Sequence, residues 1–155
     1  MNLTELISSE KYIDQDITVC GWVTTHRDQK TILFISLNDG SSVKCLQVVV
    51  DLNEDERSDK INKISRGASI KVKGKVIKSP AKGQLVEMNA KLEDINILGE
   101  VDVDSYPMSK SRHSLEYVRS IPHLKVRTNI GAMVARVRNT CSFATHKFFP
   151  VRGPC

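Results

Sequence analysis

Apolar and polar residues alternate along much of this chain, and the alternation defines its elements. From Ile32 to Asn38, Leu33, Ile35 and Leu37 are interleaved with Ile32, Phe34, Ser36 and Asn38. A period of two sends the first set to a core and the second outward. In the next run Leu46, Val48 and Val50 share one face, while Cys45, Gln47 and Val49 share the other. Asn38-Asp39-Gly40 predicts a tight hairpin between the two runs, because an Asp-Gly step supplies positive φ. Upstream, Ile17, Val19 and Val23 line one face of a first strand in which Gly21 is expected to form a bulge. Leu3 to Tyr12 is a short amphipathic lead-in. Downstream, Asn53 to Ile64 predicts a helix with Asn53 as its cap, acids in its first turn, and Ile61 and Ile64 on its buried stripe. Ser69 to Ile77 then alternates apolar residues with lysines. The turn Ser79-Pro80-Ala81-Lys82-Gly83 leads into a strand pair or one coiled strand from Gln84 to Leu98.

Three strands, a helix and two more strands is the order of the OB-fold, an all-β, five-stranded, partly open barrel with one helix. Its usual binding surface is the face of strands two and three with the one-two and four-five loops, the places that hold Phe34, Gln47, Arg27 and Lys82. A barrel serving only as a spacer is the competing reading. Residues 1–98 form the expected barrel domain and 99–113 a linker, acidic and strand-poor from Gly99 to Tyr106 and closed by Pro107. His113 to Ile121 is expected as a short helix stopped by Pro122. A second helix, Asn129 to Phe149, carries Ile130, Met133, Val134, Val137, Cys141, Ala144 and Phe148 at three-and-four spacing. Nothing after it is expected to cover that stripe, so 114–155 reads as a domain begun and not finished, prone to self-association.

Phe34 is the residue whose chemistry stands out, since the alternation turns its ring to a mostly polar face. An aromatic ring there is a stacking platform for an unpaired base, and the Gln47 amide on the neighbouring strand can read a base edge. Thr25-His26-Arg27-Asp28 is expected as a basic turn beside them. The alternative is a phenylalanine packed under a loop and a merely solvated glutamine. The net charge of +5 is unevenly spread: from Ser109 onward nine Lys or Arg face one acid, whereas 14 basic residues face 17 acids up to Met108. The barrel therefore recognises by local contacts more than by bulk field. Cys20, Cys45, Cys141 and Cys155 include no Cys-x-x-Cys pair, which argues for reduced thiols and against zinc. No signal peptide and no membrane-length apolar run is read, so a cytoplasmic address and no membrane partner are expected.

Particular residues carry a family resemblance. Gly21-Trp22-Val23, Arg27-Asp28, Phe34-Ile35, Leu46-Gln47-Val48-Val49, Ser79-Pro80 and Lys82-Gly83-Gln84 resemble the anticodon-binding domain of class II asparaginyl-tRNA synthetases. The run from Arg112 to Asn129, with Arg136-Val-Arg-Asn139 and His146-Lys-Phe-Phe149, resembles the start of the asparaginyl branch's catalytic domain. The resemblance implies that the central anticodon uridine stacks on Phe34, that Gln47 reads its edge, and that Arg27 contacts the anticodon backbone or bases. It also implies that Glu87 offers a carboxylate to the first anticodon base, a guanine; a charge on a solvated strand face is the other reading of Glu87. The family activates asparagine with ATP and magnesium and transfers it to tRNA, using arginines and acids of motifs two and three. Those motifs are not in this sequence, so an N-terminal piece inactive alone is expected, with no catalytic, metal or cofactor-binding residue of its own. The 129–149 helix corresponds to the dimer helix of motif one. The chain departs from the pattern at Pro150, expected to end the helix early, and at Pro154, where an aromatic is expected. An equivalent piece of an aspartyl enzyme, or a noncatalytic protein that binds single strands or pairs with an intact synthetase through its apolar helix, are the alternatives.

Overall fold

The longest strand, β1 (Asp16–Gln29), holds the barrel together by pairing twice. Its first half pairs antiparallel with β4 (Ser69–Lys78) and its second with β2 (Ile32–Asn38). β2 pairs with β3 (Leu46–Asp51), β3 runs parallel to β5 (Val86–Ala90), and β5 returns antiparallel to β4, closing the ring. A sixth strand, β6 (Ile95–Gly99), follows a single 3-10 turn at Leu92–Asp94 and pairs with the start of β4. Lys75 pairs at once with Asp16 of β1 and Asn89 of β5, and Lys71 with Cys20 of β1 and Asn96 of β6. β5 and β6 thus lie on the same edge of β4, as one interrupted strand. The result is the expected OB-fold, a closed five-stranded barrel plus one extra strand. The structure, a computed structural model, describes residues 2–52, 59–108 and 113–152.

The core follows the alternation. Leu33, Ile35 and Leu37 of β2, Leu46, Val48 and Val50 of β3, and Ile70, Val72 and Val76 of β4 are all fully buried. Each such side chain contributes roughly 1.5–3 kcal/mol by leaving water. α1 (Leu3–Ile7) adds Leu3 and Leu6 to the same cluster, and α2 (Asp59–Lys63) adds Ile61. The proposed Asn53 cap lies outside the described residues.

Three local expectations change. The irregularity in β1 falls between Val23 and Thr25, not at Gly21. A Cβ on Gly21 would lie 2.8 Å from the Asn38 carbonyl oxygen, so glycine there permits a close approach of strands instead of a bulge. The link from β2 to β3 is no tight hairpin, because seven residues separate Asn38 from Leu46; Gly40 has the positive φ, +84°, while the Asp39 side chain has another use described below. Thr25-His26-Arg27-Asp28 is strand, and the turn comes at Lys30-Thr31.

The chain divides into two units, Met1–Lys110 and Ser111–Cys155. In the first, Met108 is buried, Glu100 pairs with Lys63 at 2.9 Å, and a Tyr106 ring atom would lie 2.8 Å from a Cβ on Gly67. In the second, α3 (Leu115–Ser120) is capped by Ser114, whose hydroxyl accepts from Tyr117 N–H at 3.2 Å. α4 spans Asn129–Arg152. It continues through Pro150, which was expected to break it: proline lacks a donor and crowds the preceding turn but keeps a helix-compatible φ.

Candidate nucleic-acid interface

Register decides which side chains share the outward face. Phe34 stands opposite Arg27 on β1 and Val49 on β3, while Ser36 stands opposite Thr25 and Gln47. Phe34 and Gln47 are therefore diagonal neighbours on one face, roughly 7–8 Å apart. Beneath them Leu33, Ile35 and Val48 fill the barrel, so the backbone that carries the pair is anchored from behind. Phe34 and Gln47 are both half-buried and Arg27 is exposed. Ser36 is tied across the strands: the Thr25 hydroxyl donates to Ser36 Oγ at 3.0 Å and the Thr24 hydroxyl to the Ser36 carbonyl at 2.9 Å. The ring, the amide and the guanidinium are thus held on three adjacent strands.

The parallel pairing of β3 and β5 extends this face. Val48 stands beside Met88 and Val49 beside Asn89, so Glu87, one residue before Met88, adjoins Gln47. Glu87 is only 6% exposed, which removes the reading of it as a solvated surface charge. The Ser79 hydroxyl lies 3.2 Å from its Oε2, within reach to donate. Ser79 also accepts from Ala81 N–H at 3.2 Å, and Ser79 N–H donates to the Leu85 carbonyl at 3.0 Å, closing the four-five loop. Lys82 is exposed within that loop and belongs to no strand.

Four residues of the same face were not singled out from sequence: Thr25, Ser36, Val49 and Asn89. Register ties Val49 to Phe34, Ser36 to Gln47, Thr25 to Ser36 and Asn89 to Val49, and a register, unlike a period, cannot be read from one strand alone.

Asp39 explains the wide link between β2 and β3. Its Oδ2 accepts from Leu3 N–H at 2.9 Å, at the start of α1, and its Oδ1 accepts from Ser41 N–H at 2.9 Å. Partial burial pushes this carboxyl up, but the hydrogen bonds from Leu3 and from the Ser41 hydroxyl and N–H outweigh it and hold the group below its ordinary value.

In the second unit the apolar side chains of α4 are exposed, among them Ile130, Met133, Val134 and Val137 at 47–63%. Among the described residues no group of three or more His, Cys, Asp or Glu converges to hold a metal ion, and no helix is long and apolar enough to cross a membrane. Cys20, Cys45 and Cys141 are free thiols.

Residues 17–98, which take in all six strands but for a terminal residue of β1 and of β6, match the tRNA anti-codon family, an OB-fold nucleic acid binding domain. The asparagine–tRNA ligase of Borreliella burgdorferi is 42% identical over 142 residues, 91% of this chain and 30% of that protein. That of Vibrio vulnificus is 42% identical over 151 residues, 96% of this chain and 32% of that protein. The chain therefore spans about a third of the length of these curated relatives. Among solved structures, the aspartyl tRNA synthetase from Entamoeba histolytica superposes with a TM-score of 0.79 at 16% identity, covering 98% of this chain and 37% of that one. The asparaginyl-tRNA synthetase from Pyrococcus horikoshii complexed with asparaginyl-adenylate gives 0.76 at 21%, covering 99% and 34%. At such identities the structural likeness carries the fold. The resemblance to asparaginyl-tRNA synthetases rests on the curated relatives, and the chain belongs to the tRNA anti-codon family of OB-fold nucleic acid binding domains.

Proposed function

We propose that this chain is the anticodon-reading part of an asparagine–tRNA ligase. The observation that supports it most is one outward face on which Phe34, Gln47 and Arg27 stand in register on three paired strands. Phe34 gives an unstacked base a platform. The Gln47 amide has both a donor and an acceptor, which suits the edge of the central uridine, with its N–H between two carbonyl oxygens. Arg27 contacts the anticodon backbone or a flanking base, and Lys82 supplies a cation from the four-five loop. Glu87, an acceptor when ionised, suits the edge donors of a guanine at the first anticodon position.

In the longer enzyme this part serves the ATP-dependent attachment of asparagine to its tRNA in the cytoplasm, and the exposed side chains of the 129–149 helix meet a second copy in a homodimer. ATP and magnesium belong to that enzyme. Among the described residues no group of three or more His, Cys, Asp or Glu could hold a metal ion.

The test is binding to anticodon stem-loops that differ in one base. The GUU loop is expected to bind tighter than a GCU loop by roughly 5- to 150-fold, the range of a well-made base contact. Gln47→Ala should shrink that ratio more than it weakens binding overall. A GUC loop compares the asparaginyl with the aspartyl assignment. Equal affinity for all three loops overturns the reading and leaves a single-strand module without sequence preference.

A further inference from the structure

Lys71, Lys73 and Lys75 project from β4 at every second residue, all exposed, between the buried Ile70, Val72, Gly74 and Val76. Lys75 is tied to Asp14 at 3.0 Å and also faces Asp16 across the strands; Lys78, at the strand's end, lies 3.7 Å from Glu10. Lys71 and Lys73 make no ion pair among the described residues. Their direct cross-strand partners are Cys20 and Thr18 on β1 and Asn96 on β6, while Asp16 is the diagonal neighbour of Lys73, and Glu93 and Asp94 line a cavity with Asp16, Gly74 and Lys75. Up to Met108 acids outnumber basic residues, 17 to 14, so two adjacent exposed cations without an ion pair among the described residues make a local positive site on an otherwise acidic barrel.

That patch is continuous with the face of Phe34. Phe34, Ser36 and Asn38 share the outward side of β2; Asn38 stands opposite Trp22, and Trp22 in turn stands opposite Ser69, two residues before Lys71. Trp22 is 42% exposed. Strand rise and strand spacing make the path from Phe34 to Lys71 roughly 30 Å, within the reach of the ~4–16 nucleotides that OB-folds engage. Lysines two residues apart on a strand, roughly 6.6 Å, suit successive phosphates of an extended chain.

We propose that the outward face of β1 and β4, from Trp22 to Lys71 and Lys73, carries the phosphate backbone of the RNA strand whose base stacks on Phe34. The inference rests on the anticodon reading for its starting point and adds a second contact to it. An acidic protein surface offers the same charge, but the exposed indole and the unbroken path from Phe34 favour RNA.

Trp22 is the one tryptophan of the sequence and so reports on the path by itself. The full 155-residue chain is titrated with a uridine-centred trinucleotide and with a single-stranded RNA of about 12 nucleotides sharing that centre. The longer RNA is expected to quench Trp22 and the trinucleotide to bind without quenching. Lys71→Gln with Lys73→Gln should weaken the longer RNA about 25-fold at 0.1 M salt and reduce its log–log salt slope by about 1.4, about 0.7 per phosphate for a single strand. Trinucleotide binding stays unchanged. An unchanged slope and no quenching, with Phe34→Ala still weakening both RNAs, overturns the track and leaves the anticodon reading standing. Phe34→Ala without effect on either RNA removes that reading and the track with it. Binding of poly-glutamate with the same lysine dependence and no quenching overturns the proposal in favour of a protein partner.

Discussion

If Phe34 and Gln47 hold one base, as proposed, they cannot act independently, and that gives the sharpest test of the pair. Removing the ring by Phe34→Ala should cost roughly 1–3 kcal/mol of stem-loop affinity, about 5- to 150-fold in Kd. Gln47→Ala removes a neutral hydrogen-bonding group, worth roughly 0.5–1.5 kcal/mol. Without the platform the base is no longer held where the amide can reach it, so the second substitution should cost less in the Phe34→Ala background, with a coupling of about 0.5–1.5 kcal/mol. The barrel tolerates both changes, because Phe34 and Gln47 are outward and half-buried while Leu33, Ile35 and Val48 behind them are intact. Neither should approach the roughly 3–5 kcal/mol lost when a core phenylalanine is truncated. Anisotropy of a labelled GUU stem-loop gives the four affinities, and urea denaturation of each variant gives the stability control. Additivity within about 0.3 kcal/mol, or an affinity that Phe34→Ala leaves unaltered, refutes the idea that ring and amide grip one base.

Asp39→Asn should destabilise the barrel by about 1 kcal/mol at neutral pH, as the loss of a side-chain acceptor at a helix start does. The Asp39 carboxyl is held below its ordinary value, so its contribution is present above the unfolded group's pKa. It fades as pH falls and is gone once the depressed folded value is passed. Melting of the two proteins across the acid range should therefore converge, and a constant gap would rule out the carboxylate as the cause. Gly21→Ala puts a methyl 2.8 Å from the Asn38 carbonyl oxygen and 3.0 Å from the Leu37 side chain, which should cost roughly 1–3 kcal/mol. It should lower the urea midpoint at constant m; an unmoved midpoint would show that β1 and β2 part freely there.

The sequence was informative where a single strand decides its own geometry. A period of two fixes the inward set Leu33, Ile35 and Leu37 without tertiary information, and it turns Phe34 and Gln47 outward for the same reason. Local patterns misled where a partner distant in sequence intervenes. Asp39 looked like a hairpin residue because Asp-Gly steps usually are, yet its carboxylate serves Leu3, 36 residues away. Gly21 looked like a bulge because glycine in a strand marks either a bulge or a close backbone approach, and only the position of Asn38 chooses between them. Thr25 to Asp28 looked like a turn because the end of β1 is polar on both sides. Glu87 was read as a carboxylate offered to a base or as a charge on a solvated strand face, and its burial becomes visible only when Ser79 and β3 are set beside it.

The distribution of the five candidate residues between strands and loops bears on how they contribute. Arg27, Phe34, Gln47 and Glu87 stand on strands, whereas Lys82 sits in the loop between β4 and β5. A side chain on a strand packed against a filled core has most of its ordering cost met by folding, so little of its contact energy is lost on binding. A loop lysine must order both its backbone and its long side chain, and its charge is screened by salt. Base discrimination therefore belongs to the strands and should persist in high salt, while the contribution of Lys82 should fade with it. On the proposed reading an acidic barrel needs that division, since its overall field offers RNA no attraction.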